Sequence, residues 1–255
     1  MRVSLPRAFV EMPLAHRGLH DVAEGRIENA MASFHAAIAA GYGIELDIQL
    51  SADGQAMSFH DDTLDRLTDE VGPVRARTAH ELGEIRLKGS NDTVPTFREV
   101  LDAVAGRVPL LVEIKDQDGA FGPGVGPLEQ AVALDLRDYA GDCAVMSFNP
   151  YSVQVMQTLL PGVPRGITTE GFEPLPEGVT QEAGRALRKI DAYDRVGASF
   201  ISHDRTDLDR PRVAELKAAG ARVLCWTVRS PQEEAEARKI AENITFEGYL
   251  PNKAG

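Results

Sequence analysis

Residues 108–115 read VPLLVEIK. The run is apolar until Glu113 and Lys115, as expected of a strand covered on both faces in a parallel sheet. Outward from it, short apolar runs alternate with amphipathic stretches to both ends of the chain. Upstream, strands are expected at 12–16 and 44–50. Between them a helix at 29–40 lines up Met31, Phe34, Ala37 and Ile38, with Gly41 as its stop. Downstream, strands are expected at 143–148, 165–169, 198–202, 222–228 and 244–250. Helices fall between them at 128–139, 151–160, 180–196, 211–219 and 230–241, the last opening on the capping box Ser230-Pro231-Gln232-Glu233. Residues 56–60 are a further extended arm, joined to 44–50 by Ala52-Asp53-Gly54. A turn that short makes a hairpin, because a parallel neighbour needs a crossover of about a dozen residues or more. With that arm set aside, eight strands alternate with helices, the pattern of a (β/α)8 TIM barrel; a doubly wound open sheet is the other arrangement the pattern allows. Residues 62–95 lack clean periodicity and read as a small insertion in a single barrel spanning 1–255.

The bulk numbers narrow the function. The chain has 255 residues, 27 Lys+Arg against 39 Asp+Glu, and a net charge of −12. That balance argues against nucleic-acid binding and against a polybasic membrane surface. No segment approaches the ~18 apolar residues of a membrane span, so no integral membrane association is expected. Residues 1–15 lack a signal-like apolar stretch. Cys143 and Cys225 each lie in an apolar run and read as reduced core thiols. A cytoplasmic enzyme is the expectation.

In a barrel, reactive groups gather at the C-terminal ends of the strands. There the sequence places His16-Arg17-Gly18, Glu45-Leu46-Asp47, His60-Asp61, Glu113-Ile114-Lys115, Ser147-Phe148-Asn149 and Trp226-Thr227-Val228-Arg229. Glu45 and Asp47, two apart on a strand, share a face, as do Glu113 and Lys115. Three carboxylates converging in a barrel mouth repel unless a cation neutralises them, and oxygen-only ligation selects Mg²⁺ or Ca²⁺. With Arg17 and Lys115 beside such an ion, the site suits a phosphate. His16 and His60 can then serve as an acid–base pair near neutral pH. Phe148 and Trp226 are candidates for a wall on the substrate. His20, Asp21 and His203 are candidates for lining the pocket.

In order along the chain stand His16-Arg17-Gly18, Glu28-Asn29, Glu45-x-Asp47, Ser51-Ala-Asp-Gly54, His60-Asp61-x-x-Leu64-x-Arg66-x-Thr68, Pro95-Thr96 with Glu99-Val100-Leu101, Glu113-x-Lys115, Ser147-Phe148 and Trp226-Thr227-Val228. The ordered set resembles the glycerophosphodiester phosphodiesterases, most densely over residues 14–115. The resemblance implies a (β/α)8 barrel of the phosphatidylinositol-phospholipase-C-like type with a small insertion after the His-Asp motif. It implies hydrolysis of a small-molecule glycerophosphodiester to glycerol 3-phosphate and an alcohol. By motif it makes Glu45, Asp47 and Glu113 the metal ligands, His16 and His60 the acid–base pair, and Arg17 and Lys115 the phosphate ligands, with Glu28 at an adjoining polar position. The family usually flanks Glu-Asn with Pro and Thr, where Ile27 and Ala30 stand here. It often has Asn after Trp-Thr-Val, where Arg229 stands here. An added cation at the mouth favours a more anionic or differently shaped head group than choline or ethanolamine. The competing readings are a related phosphodiesterase acting on lysophospholipids or sugar phosphodiesters, a catalytically silent phosphate-binding barrel, and a Mg²⁺ enolase-type barrel. The last leaves the paired histidines unexplained.

Overall fold

The structure is a computed structural model and describes residues 2–253. Its strands are β1 (Leu14–Ala15), β2 (Gly43–Leu50), β3 (Ala56–Ser58), β4 (Leu110–Ile114), β5 (Cys143–Ser147), β6 (Arg165–Thr169), β7 (Phe200–Asp204), β8 (Arg222–Val228) and β9 (Asn243–Phe246). All but β3 pair in parallel, in the order β1-β9-β8-β7-β6-β5-β4-β2, and β1 also pairs with β2. The sheet therefore closes into a barrel of eight parallel strands with helices between them. The short arm at 56–58 is antiparallel to β2, with Ile48 opposite Ser58 and Leu50 opposite Ala56, as its Asp-Gly turn requires.

Strand alternation sorts the side chains. On β2 and β4 the even-numbered Ile44, Leu46, Ile48, Leu110, Val112 and Ile114 join the apolar layer under the helices. The odd positions turn inward, where Leu111 packs with Leu14, Ala144, Met146, Phe200, Leu224 and Phe9. Phe200 needs room in that interior, and Gly166 on the next strand supplies it: a Cβ there would overlap the ring. Truncating such a buried ring leaves a cavity and costs about 3–5 kcal/mol. Phe9, from the helix Ala8–Glu11, closes the N-terminal end, and Asn243 Nδ2 holds its carbonyl at 2.9 Å. With the lower barrel filled by hydrocarbon, the polar inward positions Glu45, Asp47 and Glu113 lie toward the open C-terminal end.

Residues 62–95 include a 3₁₀ turn at Val74–Ala76 and a helix at Ala79–Glu84 capped by Thr78 and Glu81. Leu64, Val74, Leu82, Leu87 and Val94 form an apolar cluster with Ile27, Ala30, Met57 and Phe59 from outside the segment. The excursion is thus packed against the hairpin arm.

Several elements end earlier than their sequence pattern suggests, the helices expected at 128–139 and 230–241 stopping at Leu136 and Ala237. Only Leu14–Ala15 of 12–16 pairs as strand. The helix expected at 180–196 stops at Arg188 and is followed by turns, with Ile190 in the left-handed region (φ 51°). The last strand stops at Phe246, and Gly248 (φ 76°) turns the chain away. Among the described residues, no helix is long and apolar enough to cross a membrane.

Candidate active site

At the mouth, β2 and β4 lie side by side with Asp47 opposite Glu113. Ligand oxygens of Glu45, Asp47 and Glu113 all lie within 4.8 Å of one another, and all three residues are buried. Asn29, at φ 57°, grips Asp47 twice: its Nδ2 donates to Asp47 Oδ2 (2.9 Å) and its Oδ1 accepts from the Asp47 backbone N–H (3.1 Å). Lys115 Nζ lies 2.9 Å from Glu113 Oε1 and 3.5 Å from Asp47 Oδ1.

The electrostatics divide the trio. Burial and then the charges of Asp47 and Glu113 push the Glu45 carboxyl well above its ordinary value. Burial would also raise Asp47, but Lys115, His60, Arg17 and the Asn29 amide outweigh it and hold the carboxyl well below the usual range. Lys115 is the converse: burial favours its neutral form, and the charges of Glu113 and Asp47 overcome that and raise it. Glu45 is therefore the carboxyl whose negative charge the neighbouring cations compensate least, and without a further cation its protonated form is favoured. An oxygen-only donor set with that excess fits a hard divalent cation, whose charge would lower the Glu45 proton affinity.

Arg17 reaches the same cluster from the first loop. It takes φ 55° and Gly18 takes φ 79°, so the backbone turns sharply after β1. Gly18 could not be larger, since a Cβ would lie 2.5 Å from Ser33 Oγ. The turn lets Arg17 N donate to Glu45 Oε2 (3.1 Å), places Arg17 Nε 3.3 Å from Asp47 Oδ2, and leaves Nη1 donating to Glu28 Oε1 (2.6 Å).

Each candidate histidine is backed by a carboxylate at Nδ1. For His16 it is Glu247 Oε2 at 2.6 Å; for His60 it is Asp61 Oδ1 at 2.7 Å. Hydrogen bonds from His16 and His20 hold the Glu247 carboxyl far below its ordinary value. For Asp61, burial works upward, but bonds from Arg66 and His60 prevail and bring it down to about 2. Both carboxylates are thus ionised acceptors near neutral pH, so either ring, when it is neutral, carries its proton on Nδ1 and leaves Nε2 unprotonated. Burial lowers the proton affinity of His16, and the Glu247 bond opposes that only in part.

The cleft of about 350 Å³ is lined by His16, Arg17, Glu45, Asp47, His60, Glu113 and Lys115, with Met146, Phe148, Trp226 and Thr245 opposite. Phe148 and Trp226 meet edge to face at 5.5 Å, and Trp226 Nε1 donates to the Ser202 carbonyl. Glu28 does not line the cleft; it stands behind Arg17, between that residue and Arg66. Arg229 lies at the rim, its Nε donating to Glu247 Oε1 at 2.7 Å, so its charge is already matched. His203 is outside the cleft: it is fully buried with Nδ1 2.7 Å from Thr169 Oγ1.

Glu247 was not among the sequence candidates. The expected strand ran through it to residue 250, and Tyr249 and Leu250 prolonged the apolar pattern. The available signal was Glu247-Gly248 at the end of the last strand, an acid at a barrel mouth followed by a turn residue.

Residues 16–244 match the glycerophosphoryl diester phosphodiesterase family. A glycerophosphodiester phosphodiesterase of Caldanaerobacter subterraneus subsp. tengcongensis is 31% identical over 225 residues, covering 84% of each chain. One from Bacillus subtilis is 27% identical over 252 residues, covering 91% of this chain and 80% of the other. Among solved structures, an Oleispira antarctica phosphodiesterase in complex with the product sn-glycerol-3-phosphate superposes with a TM-score of 0.76 at 23% identity, covering 92% of this chain and 93% of that one. The chain belongs to the glycerophosphodiester phosphodiesterase family and is a phosphoric diester hydrolase.

Proposed function

We propose that this enzyme hydrolyses glycerophosphodiesters to glycerol 3-phosphate and an alcohol, with His16 and His60 as the acid–base pair. The observation that carries the reading is the convergence, in one cleft, of two carboxylate-backed histidines with an acid trio and two cations. Glu45, Asp47 and Glu113 would hold a divalent cation, Mg²⁺ or Ca²⁺, which supplies Lewis-acid polarisation of a phosphoryl oxygen.

Arg17 and Lys115 bind the non-bridging phosphoryl oxygens and offset the charge that builds there. One histidine takes the proton of the attacking oxygen at Nε2; if that oxygen is water, loss of the head-group alkoxide gives glycerol 3-phosphate directly, and if it is the glycerol 2-hydroxyl, the same loss gives a cyclic phosphate whose bond to O2 a water then breaks. The other histidine, entering as the imidazolium with Nδ1 on its carboxylate, delivers its Nε2 proton to the departing alkoxide. Glu247 and Asp61 keep the rings in the tautomer this exchange needs. Glu28 orients Arg17. Phe148 and Trp226 cover the carbon face of the glycerol and exclude water from that side. Arg229, matched by Glu247, sits where the head group leaves the cleft. The same reading makes the whole chain one catalytic barrel with residues 62–95 as its insertion. A cytoplasmic location is proposed with it, and the two free buried cysteines are compatible with that.

A head-group panel tests it. Choline, ethanolamine, glycerol, inositol and lysophospholipid diesters are incubated with the enzyme, and glycerol 3-phosphate is measured. Release from at least one diester, falling about 10²-fold or more in His16→Ala and in His60→Ala, is expected. Release only from a lysophospholipid would favour the lipid reading. No release from any diester would leave a silent phosphate-binding barrel.

A further inference from the structure

His60 and Arg17 approach the phosphate from different elements, the arm after β3 and the loop after β1, yet one side chain outside the cleft touches the partners of both. Arg66 belongs to the 62–95 excursion. Its Nε donates to Asp61 Oδ2 (2.6 Å) and its Nη2 to Asp61 Oδ1 (2.9 Å), a fork on one carboxylate. Its Nη1 donates to Glu28 Oε2 (2.9 Å) and the same Nη2 to Glu28 Oε1 (2.7 Å), a second fork. Each acid then spends an oxygen on a residue of the cleft: Asp61 Oδ1 on His60 Nδ1 at 2.7 Å, and Glu28 Oε1 on Arg17 Nη1 at 2.6 Å. The chain Arg17–Glu28–Arg66–Asp61–His60 is continuous: three ionic links of alternating charge end in the hydrogen bond between Asp61 and His60.

The excursion holds Arg66 in place. Leu64 is fully buried in its apolar cluster. Thr68 returns both its N–H and its hydroxyl to the Leu64 carbonyl at 3.0 Å, closing a turn about Arg66. Lys88 ties that turn down through its backbone N–H to Leu67 O (2.8 Å) and its Nζ to Asp65 O (3.1 Å). An exposed arginine on two acids adds little to stability. Geometry is a different matter, because a misplacement of about 1 Å at a reacting group costs about 10²-fold in rate.

We propose that Arg66 is a positioning residue of this active site, its one guanidinium setting both the reach of Arg17, through Glu28, and the orientation of His60, through Asp61. The excursion thereby completes the catalytic geometry of the barrel. A planar fork with five donors can engage both oxygens of two carboxylates at once; a lysine in the same place has three donors at one point and can reach both acids only singly. The proposal rests on the roles given above to His60 and Arg17.

A double-mutant cycle read in kcat and KM tests it. In the wild-type background, Asp61→Asn lowers kcat about 10-fold through His60, and Glu28→Gln raises KM about 10-fold through Arg17. Arg66→Met does both. In the Arg66→Met background each of the other two substitutions then costs less than about 3-fold, because the part it would disturb is already loose. Arg66→Lys recovers less than half of the loss in kcat/KM on a logarithmic scale. Circular dichroism and thermal melting confirm that each variant is folded; if Arg66→Met is not, Arg66→Gln takes its place in the cycle. Wild-type kcat and KM in the Arg66 variant, full additivity of the three substitutions, or complete rescue by lysine overturns the proposal. Full turnover by His60→Ala and Arg17→Lys overturns instead the roles on which it rests.

Discussion

Glu247→Gln isolates the carboxylate behind His16 while keeping the shape of the side chain. The pair is 2.6 Å apart, with side chains only 13% and 20% exposed, so solvent screens it little. A hydrogen bond to a charged partner is worth about 1.5–3 kcal/mol in such a setting. If Glu247 stabilises the imidazolium that forms during turnover, its loss lowers kcat/KM by about 10- to 150-fold. The same quantity fixes the pH behaviour. Ionised Glu247 favours protonated His16 against the burial that lowers its affinity. Glutamine removes that help, so the His16 limb of the kcat/KM profile moves about one to two units toward acid. Stability responds with a definite sign as well. The Glu247 carboxyl is held below its ordinary 4.5, so its contribution is present above that pH and is lost as the pH falls toward its folded value. The melting-temperature gap between wild type and variant should therefore shrink below pH 4.5. A pH–rate series on both proteins, with melting curves alongside, measures all three effects. Activity within twofold of wild type and an unmoved limb would refute the view that Glu247 tunes His16.

Further outcomes follow from the buried charges and the tight turn. Burial and two neighbouring carboxylates raise Glu45, so Glu45→Gln should melt higher than wild type in EDTA yet gain nothing from Mg²⁺ or Ca²⁺, whereas wild type should gain several degrees. Gly18→Ala combines a left-handed φ of 79° with a Cβ 2.5 Å from Ser33 Oγ. It should cost about 2 kcal/mol or more in denaturant titration and weaken phosphate binding by displacing Arg17. Phe148→Ala removes one partner of the 5.5 Å contact with Trp226 and should raise KM more than it lowers kcat, as steady-state rates will show.

Much of this molecule was legible from local pattern. The Asp-Gly turn at 53–54 marks the antiparallel arm by itself, because so short a connection cannot carry a crossover. Glu45, Asp47 and Glu113 could be placed together because strand alternation is strict and an acid inside an apolar run has few other reasons to be there. What stayed hidden depends on contacts remote in sequence. Glu247 meets His16 across 231 positions, and its strand looked continuous because the left-handed turn at Gly248 leaves only a single glycine in the sequence. The 62–95 excursion showed no period because its core is assembled from single apolar residues, completed by Ile27 and Phe59 from elsewhere. Alternation also settles His203. Thr169 and His203 bond to each other on the outer face, which turns Thr168 and Ser202 inward in their place. Arg229 read as a free cation at the mouth, and the acid that matches it is again Glu247.

In the proposed mechanism the acid trio, the histidine pair and the two cations act together on a glycerophosphodiester. The most direct test of that mechanism is the rate of glycerol 3-phosphate release before chelation, after EDTA, and after Mg²⁺ or Ca²⁺ is restored. Turnover should vanish with the cation, return with it, and not return in Glu45→Gln. Undiminished release in EDTA would contradict it.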